Sequence, residues 1–433
     1  MTVLVPELVI DQTGVHRDLA VVIDDASGLI DAVIGAAHAP ADAIHLRRTA
    51  LAPGFVNAHS HAFQRDLRGK VERVSKLAPE DSFWTWREAM YAGAAAIDPD
   101  RIRDVARRCF SQMRNAGFTA VGEFHYVHHQ PDGTPYGSPN ALSEAVCEAA
   151  EEVGIRIVLL LTAYERGGFD RPASEGQRRF CDPSVDAYLE RLIALQEWAA
   201  DRPLVTVGAA PHSVRAVSEG WLRRIAEHCA DHDLVLHVHA DEQPREIEEA
   251  LEATGLRPVE LIERAGALSA HTTIVHGTWC DDHEIALLAA ANASVCACPT
   301  TEANLGDGYL PARALLAAGV SVCIGSDSNT IIDPLVEVRE LEAIARRSAV
   351  RRNVLVREGD DGPTGYVLDA GWAAGARALG LPQPRIETDA PADLIALDLD
   401  HEEIAGVADA DLAAAIAFAG SSALVTRSWI RGR

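Results

Sequence analysis

Two hydrophobic periods alternate along this chain, and their order predicts the fold. Short β-rich runs come first, over residues 3–10, 19–23 and 30–34, divided by Gly and Asp turns; they read as part of a small sheet. An apolar run over 51–56 then enters Asn57-Ala58-His59-Ser60-His61. From residue 100 onward, apolar residues three and four apart alternate with short continuous apolar runs. The first pattern predicts helices over 101–116, 140–153, 184–200, 218–232, 245–253, 258–265, 281–291 and 311–318. The second predicts buried strands over 117–124, 155–162, 204–210, 234–238, 272–275, 294–298 and 320–324. With the strand that carries His59 and His61, eight apolar strands alternate with helices. That order implies a parallel sheet closed as an α/β (β/α)8 TIM barrel. An open doubly wound sheet is the alternative, but no Gly-rich phosphate turn follows an early strand.

Two stretches fall outside the rhythm. Residues 62–96 are too long for an ordinary strand-to-helix connection, and 81–88 are too aromatic for disorder; they are expected to be a loop packed over a site. Past the barrel, 365–379 reads as a helix and 392–397 and 424–430 as strands. These strands are expected to pair with the N-terminal ones. The division is then a barrel over 51–380 and a small composite β-sandwich from 1–50 and 381–433.

Composition narrows the classes. A chain of 433 residues could hold two or three domains, or one barrel with additions. Apolar content is 48%, yet no run approaches the ~18 residues of a membrane span. The start, MTVLVPELVIDQ, lacks a basic segment followed by a long apolar one, as a signal peptide would have. Eight cysteines without a CxxC pair fit reduced thiols in a cytoplasmic protein, with Cys296 and Cys298 expected to line the barrel interior. The net charge of −25 argues against nucleic acid or an anionic membrane as a partner. An anionic substrate would therefore need its own local arginines.

The chemistry sits where a barrel puts it, at the carboxyl ends of strands. Residues two apart on a strand share a side, so His59 and His61 can converge on one metal ion. Other expected strands end in Glu123 and His125, in His212 and Arg215, in His237-Val-His239-Ala-Asp-Glu242, in His276 and in Asp327. Three imidazoles and a carboxylate, from His59, His61, His239 and Asp327, suffice for one catalytic metal with a position left for water. His237 competes with His239 for the ligand role. The spacing His-x-x-Glu favours His239, because Glu242 can then shuttle a proton beside the metal. His276 could polarise the water or the tetrahedral centre, and Asp327 could double as a base. His125, His128 and His129 read as loop histidines, and Trp84 and Trp86 as packing residues. Glu123 could be structural or could support the site.

These positions resemble the amidohydrolase superfamily, in its branch of mononuclear deaminases and deiminases. Within that branch the similarity is to the formiminoglutamate deiminases of histidine degradation. It is carried by NAHSHAFQR (57–65), DSFWTWREAMY (81–91), GFTAVGEFHYVHH (117–129), APHSVRA (210–216), HVHADEQPREIEE (237–249), VHGTW (275–279), CPTTEANLGDG (298–308) and IGSDS (324–328). The resemblance implies one divalent metal, zinc by its donor set, held by His59, His61, His239 and Asp327. It implies Glu242, His276 and Asp327 as catalytic groups. Substrate contacts would come from Gln64, Arg87, Tyr126, His212 and Arg215. The implied reaction is hydrolysis of a formimino C=N with release of ammonia, on a small dicarboxylate amidine. Arg87 and Arg215 would meet the two carboxylates. A homodimer is the expected assembly.

Two segments differ from the family pattern. Asn329-Thr330 follows Gly325-Ser-Asp-Ser328 where a histidine is usual, and 162–169 is altered after the third barrel strand. Both are expected near the pocket mouth. The rival readings are a deaminase of another amidine, guanidine or heterocycle on this scaffold, and a catalytically inert barrel kept for assembly.

Overall fold

The computed structural model describes residues 1–72 and 83–433. The N-terminal strands are β1 (Thr2–Asp11), β2 (Gly14–Arg17), β3 (Leu19–Asp24), β4 (Leu29–Gly35) and β5 (Ile44–Pro53). Next come β6 (Phe55–Ser60), β7 (Phe118–His125), β8 (Arg156–Ala163) and β9 (Val205–Pro211). They are followed by β10 (Leu236–Ala240), β11 (Thr272–His276), β12 (Ser294–Ala297) and β13 (Ser321–Ile324). The last two are β14 (Leu394–Asp398) and β15 (Val425–Trp429).

Strands β6 to β13 form one eight-stranded parallel sheet in sequence order. It closes where its first and last strands meet. A bridge joins Ser60 to Asp327, the amide of His61 donates to the Asp327 carbonyl (2.9 Å), and the amide of Asp327 donates to the His59 carbonyl (3.0 Å). The expected barrel is thus present, and its seam runs through the candidate ligands.

The barrel forms because each crossover can bury a helical stripe against the sheet. Helix Pro99–Asn115 shows how: Asp98 caps it by accepting from the Arg101 amide, and Pro99 supplies a preset φ. It buries Ile102, Val105, Ala106, Cys109, Phe110 and Met113, which recur three and four apart. Helix Ala373–Ala378 packs onto β6, where a Cβ on Gly375 would stand 2.9 Å from Val56. The barrel interior holds Ala58, Val275, Cys296, Cys298 and Cys323 in one buried cluster. All eight cysteines are unpaired.

The C-terminal strands pair with the N-terminal ones as expected, in a single seven-stranded mixed sheet rather than two stacked layers, ordered β15-β14-β5-β1-β3-β4 with β2 on β1. Strand β5 runs directly into β6 through Gly54, so this sheet is continuous in sequence with the metal-bearing strand. No helix among the described residues is long and apolar enough to cross a membrane.

Some expectations need correction. The part of 62–96 that is described is not a loop: it holds a 3-10 turn at Ala62–Leu67 and the helix Phe83–Ala94. Asp81 and Ser82 of the aromatic motif, with 73–80, lie outside the described residues. The helix expected over 365–379 breaks at Trp372 (φ −115°, ψ −100°) into Thr364–Gly371 and Ala373–Ala378. Helices Pro299–Leu305, Pro334–Ala349 and Asp409–Ala419 were not anticipated.

Candidate metal and catalytic site

Four side chains from three strand ends meet at the mouth of the barrel. His59 Nε2 stands 3.2 Å from His61 Nε2 and 3.2 Å from His239 Nε2. Asp327 Oδ1 lies 3.5 Å from His59 Nε2 and 3.3 Å from His61 Nε2. Asp327 sits just past β13 at φ +46°, and Gly325 makes this approach possible, since a Cβ there would stand 2.7 Å from the His59 Cβ.

This donor set fits a metal ion. A tetrahedral ion with Zn–N bonds of about 2.0 Å separates its ligand atoms by ~3.3 Å, which is the spacing of these nitrogens. The tautomers agree. His61 Nδ1 faces the Phe124 carbonyl (2.7 Å) and His239 Nδ1 the His212 carbonyl (2.9 Å). A carbonyl only accepts, so the proton sits on Nδ1 and the Nε2 lone pair is free for a metal. Burial holds His59 neutral, pushing it down to about 3, and depresses His61 and His239 in the same direction. Burial opposes ionisation of Asp327, but the bond from His59 and the field of His61 outweigh it and hold the carboxyl below its ordinary range.

His237 does not join this group. It faces inward like His239 but one layer deeper, with Nε2 on the Ala378 carbonyl at 2.7 Å. Beside the ligands, His276 Nε2 lies 3.5 Å from Glu242 Oε1 and 3.9 Å from Asp327 Oδ2. Burial pushes Glu242 up to about 7, with the fields of His276 and Arg215 pulling against it. Burial opposes protonation of His276, but Glu242, Glu302 and Asp327 lift it to about 10. His276 adopts φ +73°, a conformation uncommon for a non-glycine residue.

A partly open pocket lies over these groups. Gln64, Arg87, Tyr126, His212 and Arg215, the residues expected to touch substrate, all line it, with His61, His239, Glu242, His276 and Asp327. Helix Phe83–Ala94 contributes Phe83, Trp86, Arg87, Met90 and Tyr91 to the wall. Gln64 Nε2 donates to the Tyr126 hydroxyl at 2.8 Å. Arg87 stacks on Trp84 (4.5 Å), and its Nε has no hydrogen-bond partner among the described residues. Trp84 is thus a cation–π partner as well as a packing residue, with Arg245 on it at 4.4 Å.

Several residues carry different roles from those expected. His128 and His129 lie on the loop after β7, as expected, and His125 ends that strand; all three are buried. His128 Nε2 bonds the Thr162 carbonyl (2.8 Å), His129 lies 3.7 Å from Asp182, and none of the three lines the pocket. Glu123 accepts from the Ala62 amide at 2.7 Å and so braces the turn after His61. Asn329 is not at the pocket mouth. It is fully buried at φ +58°, and its amide nitrogen meets the Ser60 hydroxyl and the carbonyls of His61 and Asp327 at 3.0–3.1 Å. It clips the barrel seam. Glu302 was missed, although its motif stood out: Oε1 accepts from the Cys298 amide (2.8 Å) and faces His276 Nδ1 at 3.4 Å. Tyr164, within the altered segment 162–169, lines the pocket, and its hydroxyl accepts from Gln177 at 2.7 Å.

Residues 50–433 match the amidohydrolase family along their whole length. The chain belongs to that family. It is 40% identical to a formimidoylglutamate deiminase of Pseudomonas aeruginosa over 391 residues, 89% of this chain and 84% of that protein. A 5-methylthioadenosine/S-adenosylhomocysteine deaminase of Haloarcula marismortui is 31% identical across 80% of this chain and 72% of its own. Among solved structures, an amidohydrolase from Brucella melitensis superposes with a TM-score of 0.91 at 32% identity, covering 100% of this chain and 94% of that one. An adenosine deaminase from Xanthomonas campestris, solved with bound zinc, gives a TM-score of 0.83 at 26% identity, with coverage of 100% and 92%. This amidohydrolase is therefore an enzyme that hydrolyses C–N bonds.

Proposed function

We propose that this amidohydrolase deiminates N-formimino-L-glutamate, giving N-formyl-L-glutamate and ammonia. One observation carries the reading: two guanidiniums, Arg87 and Arg215, line a single pocket with the candidate ligands, in a chain of net charge −25. Two cations there suit a substrate with two carboxylates. The likeness to the Pseudomonas enzyme supports the same substrate class.

His59, His61, His239 and Asp327 would hold one zinc ion, which when bound supplies a water acidified toward neutral pH. Arg87 and Arg215 hold the carboxylates and point the formimino carbon at the ligand cluster. Glu242 delivers a proton to the leaving nitrogen, a task suited to a carboxyl that burial lifts to about 7. His276, cationic between Glu242 and Glu302, stabilises negative charge that develops on the attacked centre. Asp327 takes up the proton of the attacking water. Phe83, Trp86, Tyr126 and Tyr164 exclude solvent.

The second reading is a deaminase of another amidine, guanidine or heterocycle, which the aromatic wall formed by Trp86, Tyr126 and Tyr164 would also accept. Arg87→Met and Arg215→Met separate the two. Under the proposal each raises KM for N-formimino-L-glutamate about 10- to 100-fold, the value of a lost charge-assisted hydrogen bond, with metal content unchanged. Unchanged KM in both variants would favour the second reading.

A further inference from the structure

A buried arginine anchors an anion only if its guanidinium is held with a free edge toward the ligand. Arg215 follows β9 at the pocket wall, and among the described residues its one hydrogen-bonded nitrogen is Nε, which donates to Glu246 Oε1 at 3.1 Å. Its Nη2 stands 3.8 Å from Glu242 Oε2, near enough for attraction and too far for a hydrogen bond. The Nη edge is therefore open to a ligand carboxylate. Glu246 is fully buried in the first turn of helix Pro244–Thr254, and its second oxygen is also engaged: Oε2 accepts from the backbone amide of Glu242 at 3.1 Å.

We propose that Glu246 is a positioning residue that sets two members of the site at once. Through Oε1 it orients the guanidinium of Arg215. Through Oε2 it fixes the backbone of Glu242, and so the origin of the side chain that moves the proton. Substrate anchoring and proton transfer then share one support. Glu246 also offsets the charge of Arg215. Arg215 therefore selects a carboxylate by the geometry of its Nη edge. The proposal deepens the reading above and rests on it for the identity of the anion.

Glu246→Gln tests this. The amide keeps the volume but can accept at one atom only, so it cannot satisfy both donors. Metal-replete wild type, Glu246→Gln, Arg215→Met and the double variant are compared by ammonia release from N-formimino-L-glutamate. Metal content and the calorimetric Kd of N-formyl-L-glutamate are measured beside it. Glu246→Gln is expected to bind metal fully, to raise KM and product Kd by about 10-fold and to lower kcat by about 10-fold, each being the scale of one lost hydrogen bond to a charged group. In the Arg215→Met background the KM effect should vanish while the kcat effect persists, because only the former acts through the guanidinium. Should Glu246→Gln not fold, Glu246→Asp, too short to span both donors, is expected to show the same two-sided loss. Wild-type turnover with either variant at wild-type KM and kcat overturns the role of Glu246 and leaves the substrate reading intact. A wild type that neither turns over N-formimino-L-glutamate nor binds its product overturns the reading, and this inference with it.

Discussion

Glu242 and His276 stand 3.5 Å apart at the edge of the ligand cluster, a carboxyl and an imidazole whose proton affinities are both raised by their surroundings. Glu242 is not among the atoms that converge on the metal position, so Glu242→Gln removes proton transfer alone. Its metal content should equal that of the wild type while kcat falls on the order of 10²- to 10⁴-fold; a variant with near-normal turnover would remove Glu242 from the chemistry. The residues legible in the sequence were those set by strand-end periodicity: His59 and His61 two apart, and His239 and Glu242 three apart. Glu246 and Glu302 were not legible as partners of Arg215 and His276, because those pairings span 31 and 26 residues and depend on how neighbouring strand ends are staggered. Asn329 was legible as a departure from the family pattern, but its work at the seam was not. Two of its three amide-nitrogen contacts, Ser60 and His61, lie on the far edge of the sheet, and they exist only once the barrel has closed.

At the scale of elements, the strands were easier to read than the material between them. Each barrel strand is a short apolar run bounded by turns, a signal that tertiary packing reinforces. Helix Phe83–Ala94 shows no clean helical stripe in the sequence, because its apolar residues are mixed with Thr85, Arg87 and Glu88, and Trp86 and Arg87 face a pocket rather than a core. Helix Pro334–Ala349 was legible in principle. Asp333 caps it, and Leu335, Val338, Leu341 and Ala345 make its buried face. The end of β7 offers a test of its own. Glu123 is lifted from 4.5 to about 8 by burial, so the folded state prefers its neutral form. Its contribution to stability is then fully present below about pH 4.5 and is lost as pH rises through about 8. Glu123→Gln keeps an acceptor for the Ala62 amide without the titratable proton. By chemical denaturation, the variant should gain on the wild type by on the order of a few kcal/mol between about pH 5 and pH 8.5. A difference independent of pH would show that Glu123 is ionised in the fold.

For the whole molecule, the net charge of −25 and an anionic substrate are reconciled by range. Exposed carboxylates act through solvent and are screened beyond roughly 8–10 Å at physiological salt, whereas the buried Arg215 at the pocket wall is screened far less. The mixed sheet built from both chain ends feeds β5 straight into β6, so folding of the termini sets the strand that begins the site. This architecture was legible because helix and strand periods alternate from residue 100 to the last barrel strand. Pairing of the termini was legible only as leftover strands in need of partners. Substrate identity is tested most directly by ammonia release from the metal-replete enzyme, with N-formimino-L-glutamate, N-formimino-L-aspartate and a guanidino acid side by side. Strong preference for the glutamate derivative is expected, with N-formyl-L-glutamate as the product. Comparable or faster turnover of one of the other two, or none of N-formimino-L-glutamate by protein with a full complement of metal, would contradict it.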